Sequence, residues 1–279
     1  MSDVQIVVNR MRKEIFLAAY CGGVGHLASA FSLVEIIYTL YLDGIMKYDA
    51  TNPQWEERDY FVLSKGHGSL ALYVALNEAG FFPKDELWKF CRPDGILGGE
   101  PHMLETPGVE ASTGSLGHGL SVGVGMALAL KSDGKQNHVY VLVGDGECQE
   151  GSIWEAVMSA SAFNLDNLTM IVDFNRIQKM DFINKIMGQD NLADKFIDFG
   201  WQVKSVDGHN IELLNAALTG TWDEKPRCLI AETIKGKGLS LMENNPAWHW
   251  RMPNKKDLKV FMNELAVTEE ELAECKKRI

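Results

Sequence analysis

The feature that most constrains this chain is a series of short, almost continuously apolar runs rich in valine and isoleucine. The clearest runs are Val139–Val143, Leu168–Asp173, Gln202–Val206 and Leu229–Thr233. Such runs are typical of parallel strands that are buried on both faces. Because helical segments alternate with them, the pattern predicts an α/β fold: a doubly wound, mainly parallel sheet with helices on both faces.

The remaining segments carry apolar residues at the period of an amphipathic helix. The predicted helices are Val4–Tyr20, Ser32–Leu42, Ser69–Ala79, Gly119–Lys131, Ile153–Phe163 and Ile211–Leu218. From about residue 235 the pattern changes, which indicates a long surface segment that ends in a helix over Thr268–Lys277. Without repeats or low-complexity linkers, residues 1–279 are expected to form a single domain with this C-terminal extension.

Composition excludes several classes of function. The net charge is −11 and no basic stripe is present, which argues against a nucleic-acid partner. The uncharged stretch Ala111–Leu130 is too polar in its first half to span a membrane, and a glycine-rich loop entering a buried helix is predicted instead. No signal peptide is recognisable, and five cysteines without a C-x-x-C pair fit a reducing compartment and give no zinc site. A cytoplasmic location is therefore expected.

Polar residues follow two of the predicted strands. Asp145, within Gly144-Asp145-Gly146, ends one strand, and Asn175 ends the next, 28 residues (147–174) later. A right-handed β-α-β crossover places both side chains at the same edge of the sheet. A carboxylate and an amide oxygen suit Mg²⁺ or Ca²⁺, and Mg²⁺ completes its octahedron with phosphate and water. The pair therefore predicts a diphosphate-bearing ligand, although Asp-Gly is also an ordinary turn after a strand.

The string Gly-Asp-Gly-x28-Asn resembles the thiamine diphosphate motif, with the spacing of transketolases. Other segments are similar to transketolases in the expected order, from about Val24 to His249. They are Ser-Lys-Gly-His-Gly (64–68), Thr-Pro-Gly-Val-Glu (106–110), Thr-Gly-Ser-Leu-Gly (113–117), Val-Gly-Met-Ala (124–127) and Met-Glu-Asn-Asn-Pro-Ala-Trp-His (242–249). The resemblance implies thiamine diphosphate as cofactor, on a diphosphate-binding domain, with Mg²⁺ that Ca²⁺ or Mn²⁺ can replace.

The resemblance also assigns roles to individual residues. It implies that Asp145, Asn175 and the backbone carbonyl of Ile177 ligate the metal. Residues that would face the cofactor are His67, Gly114, Ser115, Leu116, Gly146 and His249, together with the metal ligands Asp145 and Asn175. Glycines fit this role because backbone N–H groups cradle phosphate most closely where no Cβ intervenes.

Four histidines stand where transketolases have active-site histidines: His26, His67, His102 and His249. The resemblance implies that they contact sugar hydroxyls and the cofactor and move protons, for which imidazole is suited by its pKa near neutrality. Trp250 follows His249 where glycine is usual, and Ser115 stands where proline is usual. His118, His138 and His209 are interpreted as structural.

Two glutamates of this sequence, and a third that the resemblance assigns to a second domain, indicate that the chain assembles with other protein chains. Glu150 and Glu155 lie at the start of a predicted helix, where the macrodipole alone would favour them. In transketolases, matching glutamates meet their symmetry mates and relay protons between sites. The glutamate that activates the cofactor belongs to a second domain, which this sequence does not contain. A partner chain with the pyrimidine-binding and C-terminal domains is therefore expected, in an α2β2 heterotetramer.

The resulting hypothesis is the first subunit of a split transketolase, active only with its partner and transferring a two-carbon ketol unit from a phosphorylated or otherwise anionic ketose to an aldose. Two alternatives stay open. One is a subunit of another thiamine diphosphate enzyme, similar to deoxyxylulose-phosphate synthase or to a 2-oxo acid dehydrogenase. The other is a cofactor-binding subunit without catalytic activity. Donor choice, a ketose or pyruvate, separates the first alternative from the hypothesis.

Overall fold

Five parallel strands form one sheet in a computed structural model that describes residues 2–189 and 191–277. Their order across the sheet is β1-β2-β3-β5-β4, and every neighbouring pair is parallel. The strands are β1 (Tyr60–Leu63), β2 (Val139–Gly144), β3 (Leu168–Phe174), β4 (Gln202–Asp207) and β5 (Arg227–Glu232). The predicted α/β fold with a parallel sheet is confirmed.

Helices cover both faces of the sheet. In chain order they are α1 (Asp3–Gly22), α2 (Leu27–Phe31), α3 (Val34–Tyr41), α4 (Ser69–Glu78), α5 (His118–Ser132), α6 (Gly151–Ala162), α7 (Ile183–Ile186), α8 (Leu192–Asp198), α9 (Ile211–Thr219), α10 (Lys255–Glu264) and α11 (Glu269–Lys277). Short 3₁₀ turns occur at Gly66–Gly68, Lys84–Lys89, Gly146–Gln149 and Pro246–Trp248.

Alternation along the strands divides the core into two layers. In β2, Leu142 packs with the helices on one face, among them α1, α3 and α4, whereas Val141 and Val143 pack with α5 and α6 on the other. Successive strand residues point to opposite faces, so a strand buried on both sides is expected to be mostly apolar. This is why the central strands could be predicted directly from the sequence.

Other elements differ from expectation. Strand β1 was not predicted, because its four residues lie between charged segments. The chain after residue 235 is not a surface segment throughout, since Met242, Trp248 and Phe261 are buried in the core. It also contains α10, whose N-cap Asn254 forms a capping box with Asp257. Part of this segment therefore packs on the α1 side of the sheet, where Trp248 and Phe16 both contact Phe261.

Two further expectations need correction. Helix α5 is buried on one face only; Val122 and Gly125 are exposed, so the interpretation as a buried helix was wrong. Cys21 and Cys275 form a disulfide between α1 and α11, which removes the support that these two residues gave to a reducing compartment. Within residues 2–189 and 191–277, no helix has the length and apolar character needed to cross a bilayer.

Candidate active site

The carboxyl ends of β2 and β3 bring Asp145 and Asn175 to one edge of the sheet, as predicted. The register pairs Gly144 with Asp173, and the Asp145 N–H donates to the Asp173 carbonyl at 3.2 Å. The Asp145 carboxylate accepts from the backbone N–H groups of Gly146, at 2.7 Å, and Arg176. The Asn175 Oδ1 accepts from the Ile177 N–H at 3.1 Å. The Asp145 carboxylate, the Asn175 Oδ1 and the Ile177 carbonyl, the three predicted oxygen ligands, thus lie on two adjacent loops.

The Asp145 carboxylate is poorly compensated in the protein. It is buried, and burial together with the neighbouring Asp173 raises the pKa of Asp145 to about 7. Asp173 differs because the ammonium of Lys65 lies 2.6 Å from its Oδ2 and holds its pKa below the ordinary value despite burial. A buried carboxylate without its own counter-ion is strongly stabilised by a bound cation. In the described parts of the chain, no cluster of three or more His, Cys, Asp or Glu side chains offers an alternative metal site.

Lys235 is a site residue that the sequence analysis missed. Its side chain is buried, and the Nζ donates to the Ile177 carbonyl at 2.9 Å and lies 3.2 Å from the His249 Nδ1. Burial and the nearby Lys65 lower the pKa of Lys235 to about 8. The available signal was its position just after β5, at the carboxyl edge of the sheet, where ligands bind in such folds. The ammonium faces the carbonyl that was predicted to ligate metal.

Three of the four predicted histidines form one cluster. The ring centroids of His26 and His67 are 5.3 Å apart, those of His26 and His249 are 5.5 Å apart, and those of His67 and His249 are 5.7 Å apart. Each histidine lies in a short turn: His26 caps α2, His67 is in the 3₁₀ turn Gly66–Gly68, and His249 follows the turn Pro246–Trp248. Trp250 stacks on His26 at 5.5 Å. Three residues that are distant in the sequence therefore form part of the wall of one cavity.

The histidine cluster is held in the neutral state. Burial and the lysines, chiefly Lys235, lower the pKa of His26 to about 4 and that of His249 to about 3. Burial, followed by Lys65, also lowers the pKa of His67 well below its ordinary value. At neutral pH each ring therefore has one N–H donor and one acceptor nitrogen. Such a set can both donate to and accept from hydroxyl groups.

His102 lies outside the cluster. Its side chain is 48% exposed and its Nδ1 is 3.9 Å from Glu105 Oε1. The backbone turns at this point, because the His102 carbonyl accepts from the N–H groups of Glu105 and Thr106. The cavity beside the three histidines is lined instead by Glu100, two residues earlier. A catalytic role for His102 stays a prediction that this arrangement does not support.

The backbone at Gly114 forms one wall of the cavity. Gly114 has φ of 138°, and a Cβ there would lie 1.8 Å from Glu100 Oε2. Gly66 packs on the same turn, since its Cβ would lie 2.8 Å from the Gly114 nitrogen. Ser115 is exposed and does not line the cavity, whereas Leu116 does. Side chains at Gly66 or Gly114 would fill the space between the loops.

Glu147 holds three segments around the cavity together. Its buried carboxylate accepts from the N–H groups of Gly117 at 2.8 Å and Gly144 at 3.0 Å, and from the Ser64 hydroxyl. Burial raises its pKa above the ordinary value. The sequence analysis also missed this residue, although it directly follows Gly146. Its contacts join the loops after β1 and β2 to the turn before α5.

The two glutamates predicted to relay protons are both exposed. Glu150 occupies the N-cap position of α6, without a capping hydrogen bond from its side chain, and lines the cavity, whereas Glu155 lies further along α6.

The cavity as a whole has a volume of about 410 Å³. Its lining includes His26, Lys65, His67, Glu100, Gly114, Leu116, Asp145, Gly146, Glu150, Asn175, Ile177, Lys235 and His249.

Comparison with known proteins gives a consistent result. The family model described as "Transketolase, thiamine diphosphate binding domain" matches residues 6–273. The 6-deoxy-6-sulfo-D-fructose transketolase subunit SqwG of Clostridium sp. (strain MSTE9) is 42% identical over 249 residues, which are 88% of this chain and 90% of that protein. One of the subunits of the apulose-4-phosphate transketolase of Actinobacillus succinogenes is 40% identical over 257 residues, 91% of this chain and 92% of that protein.

Among solved structures, a transketolase from Leishmania mexicana superimposes with a TM-score of 0.87 at 26% identity. The match covers 100% of this chain and 44% of that one. This chain thus spans less than half the length of that transketolase, but nearly the whole length of the two similar subunits.

Proposed function

This chain belongs to the transketolase family, in which it corresponds to the thiamine diphosphate binding domain, and we propose that it is one subunit of a two-chain transketolase. Such an enzyme transfers a two-carbon ketol unit from a ketose to an aldose. The observation that carries the proposal is the meeting of the Asp145–Asn175 pair and three neutral histidines around one cavity. The first arrangement suits a metal diphosphate and the second suits a polyhydroxylated substrate.

The donor set fits a magnesium diphosphate. The carboxylate of Asp145, the amide oxygen of Asn175 and the carbonyl of Ile177 are the hard oxygen ligands that Mg²⁺, Ca²⁺ and Mn²⁺ prefer. The raised pKa of Asp145 supports a cation there. Lys235 would exchange its contact with the Ile177 carbonyl for a diphosphate oxygen, because cation and ammonium would otherwise compete for the same atom. His67, Gly114, Leu116 and Gly146 would complete the binding surface.

When bound, thiamine diphosphate supplies the nucleophilic carbon and the electron sink for breaking the bond next to the ketone. The residues of this chain would orient the sugar and move protons. Neutral His26 and His249 present both donor and acceptor nitrogens to ketol hydroxyls. Trp250, stacked on His26, would limit the rotation of that ring and exclude water from it.

The partner would supply the glutamate that activates the cofactor. Glu150 and Glu155 are exposed on the α6 side of the cavity, where a second chain could cover them, and an α2β2 assembly would let them meet their symmetry mates. Two similar proteins are named as subunits, which supports this division. Their named substrates are a sulfonated and a phosphorylated sugar, so we propose an anionic ketose as donor.

The test is reconstitution. The chain, the product of the adjacent transketolase-like gene, thiamine diphosphate and Mg²⁺ are mixed and assayed for ketol transfer from a panel of ketose phosphates and sulfonates. Activity is expected only in the mixture. Turnover by this chain alone would contradict the obligate partnership, and conversion of pyruvate without any ketose would show a different thiamine diphosphate reaction.

A matched pair of variants links cofactor affinity to the proposed metal site. Asp145→Asn is expected to weaken cofactor binding by roughly 100-fold, because even outer-shell partners of metal ligands contribute about 10- to 100-fold. Asp166→Asn removes the same charge from a position that pairs with Lys131 at the surface and should leave the affinity unchanged. Calorimetric titration with thiamine diphosphate and Mg²⁺ measures both.

A further inference from the structure

We propose that Glu100, rather than His102, is the residue through which its loop contacts the substrate, and that its carboxylate excludes donors with an anionic group beside the ketone. The inference rests on the proposed ketol transfer and specifies the donor class. It starts from the positions of two residues within one loop: Glu100 lines the cavity, whereas His102 is not among the lining residues and its side chain is 48% exposed.

The backbone that carries Glu100 is fixed on both sides. The Tyr73 hydroxyl donates to the Glu100 carbonyl at 2.9 Å, and the Ser69 hydroxyl donates to the Gly99 carbonyl at 2.8 Å. The Thr113 N–H donates to the Pro101 carbonyl at 3.3 Å, which ties the loop to the turn that contains Gly114. Because these bonds hold residues 99–101 in place, the direction of the Glu100 side chain follows from the fold.

The carboxylate of Glu100 lies against the turn that is proposed to bind the cofactor. Its Oε2 occupies the position next to Gly114 where any Cβ would collide with it. Gly114 is therefore matched to Glu100, and a larger residue would displace the carboxylate. Because Glu100 lines the same cavity as the three histidines proposed to contact the ketol hydroxyls, we infer that it lies near the reacting end of the substrate rather than near the distant phosphate or sulfonate.

In the part of the chain that the structure describes, the Glu100 carboxylate has no hydrogen-bond donor. Across residues 2–189 and 191–277, the hydrogen bond made to Glu100 goes to its backbone carbonyl and leaves the carboxylate open to the cavity. By contrast, the buried carboxylates of the same cavity, Asp145 and Glu147, each accept from backbone N–H groups. An unpaired carboxylate in a substrate cavity is available to accept from a hydroxyl group and repels a second anion.

These properties select a donor by its third carbon. A ketose has a hydroxylated, neutral carbon beside the ketone, and its hydroxyl can donate to Glu100. A 2-oxo acid has a carboxylate at that place, and the two negative charges repel each other once substrate and partner chain displace water from the cavity. The anionic group of a ketose phosphate or sulfonate lies several carbons away, where the repulsion is weak.

The test compares L-erythrulose with hydroxypyruvate, which share the hydroxymethyl ketone and differ in having a hydroxylated carbon or a carboxylate beside it. The complex of both subunits, with cofactor and Mg²⁺, is assayed for kcat/KM with each donor. Glu100→Gln is expected to raise the hydroxypyruvate to erythrulose ratio by about tenfold, because it removes one charge and keeps the shape. A merely structural role would lower both values and leave the ratio unchanged.

Two variants of the same loop serve as controls. Glu105→Gln removes the same charge from a side chain that is 60% exposed, and the ratio should stay at the wild-type value. His102→Gln tests the competing assignment. A ratio that moves in His102→Gln, or that stays fixed in Glu100→Gln, overturns the proposal.

Calorimetric affinities of the loaded complex for both donors provide a second readout. The preference for erythrulose over hydroxypyruvate should shrink in Glu100→Gln to the same extent as in turnover. A wild-type complex that turns over neither donor counts against the proposed function, and the affinities then decide on Glu100 separately. Equal preference in wild type and Glu100→Gln would contradict the inference.

Discussion

Asp173 organises the site through the side chains that it holds. Its fully buried carboxylate accepts from the Lys65 ammonium at 2.6 Å, the Asn175 amide at 2.8 Å and the Ser32 hydroxyl at 2.9 Å, and also from the Thr233 hydroxyl. The bond to the amide nitrogen leaves the Asn175 oxygen to point the other way. One carboxylate thus orients a proposed metal ligand and neutralises a buried lysine.

Removing this charge should destabilise the fold more than removing one of its donors. Asp173→Asn leaves Lys65 buried without an anion, and breaking a buried pair in this way costs about 3–5 kcal/mol. Ser32→Ala removes one hydroxyl donor to this carboxylate and should cost about 1.5–3 kcal/mol, the usual range for a hydrogen bond to a charged group. Urea denaturation of both variants at pH 7 measures the difference. Equal losses would show that the ion pair between Lys65 and Asp173 contributes little.

At this scale, sequence reasoning succeeded where a residue directly follows a strand. Asp145 and Asn175 could be placed because the crossover rule brings consecutive parallel strands side by side. Lys235 could not be placed in the same way, since its approach depends on β5 pairing with β3 across a skipped strand. That Glu100 rather than His102 lines the cavity depends on the backbone turn at His102. The resemblance to transketolase segments contains no signal for this turn.

Among the elements, those with a strong pattern of apolar residues could be predicted from the sequence. The central strands are mostly apolar because both faces are buried. Helix α10 has a weaker pattern, because Phe261 is its one buried residue and most of its other positions are charged or polar. Its capping box, Asn254 with Asp257, was the readable signal. The polar composition of this segment predicts a location at the surface. In the structure, the packing of Phe261 against Phe16 and Trp248 holds α10 on the core.

A second buried charge network joins elements rather than residues of the site. Glu35 of α3 accepts from Arg12 of α1, at 2.7 and 2.8 Å, and its Oε2 is 3.0 Å from His209 Nδ1, between β4 and α9. Burial alone would raise the pKa of Glu35, but His209 and Arg12 lower it below the ordinary value of 4.5. The network therefore links α1 and α3 to the loop before α9 through one ionised carboxylate.

This network predicts a specific acid dependence of stability. Because the pKa of Glu35 is lower in the folded state than in the unfolded state, its contribution is complete above pH 4.5 and is lost as the pH falls through the folded value. Glu35→Gln should be less stable than wild type at pH 7, by about 3–5 kcal/mol. The difference should shrink below pH 4.5. Denaturation midpoints between about pH 3.5 and 7 measure it, and the exposed variant Glu105→Gln should show no such convergence.

Considered as a whole, the molecule has an uncharged surface next to its cavity. Between its first residue, His118, and Lys131, helix α5 contains no charged side chain. Its outer face is nevertheless exposed, and Val122 is 40% accessible. Met158 of the adjacent α6 is 50% exposed. Exposed apolar patches beside a ligand site mark association surfaces. This face begins at the Gly114–Gly117 turn, so a chain bound there would reach the cavity.

The last prediction separates association from catalysis. Val122→Asp places a charge on this face and should weaken binding of the partner chain by at least about tenfold. The stability of the isolated subunit should change by less than about 0.5 kcal/mol, because the side chain is at the surface. Ile6→Asp, on the 51% exposed Ile6 of α1, is the matched control and should not affect binding. Sedimentation velocity of the mixtures measures the association.

Activity then gives the decisive comparison. If Val122 acts only through assembly, raising the concentration of both subunits restores full turnover to Val122→Asp by mass action. If turnover stays low when sedimentation shows a complete complex, the α5 face affects the site directly. If association itself is unchanged in Val122→Asp, the association surface lies elsewhere. Because Val122 lies near the start of α5, close along the chain to the Gly114–Gly117 turn, only the concentration series distinguishes these outcomes.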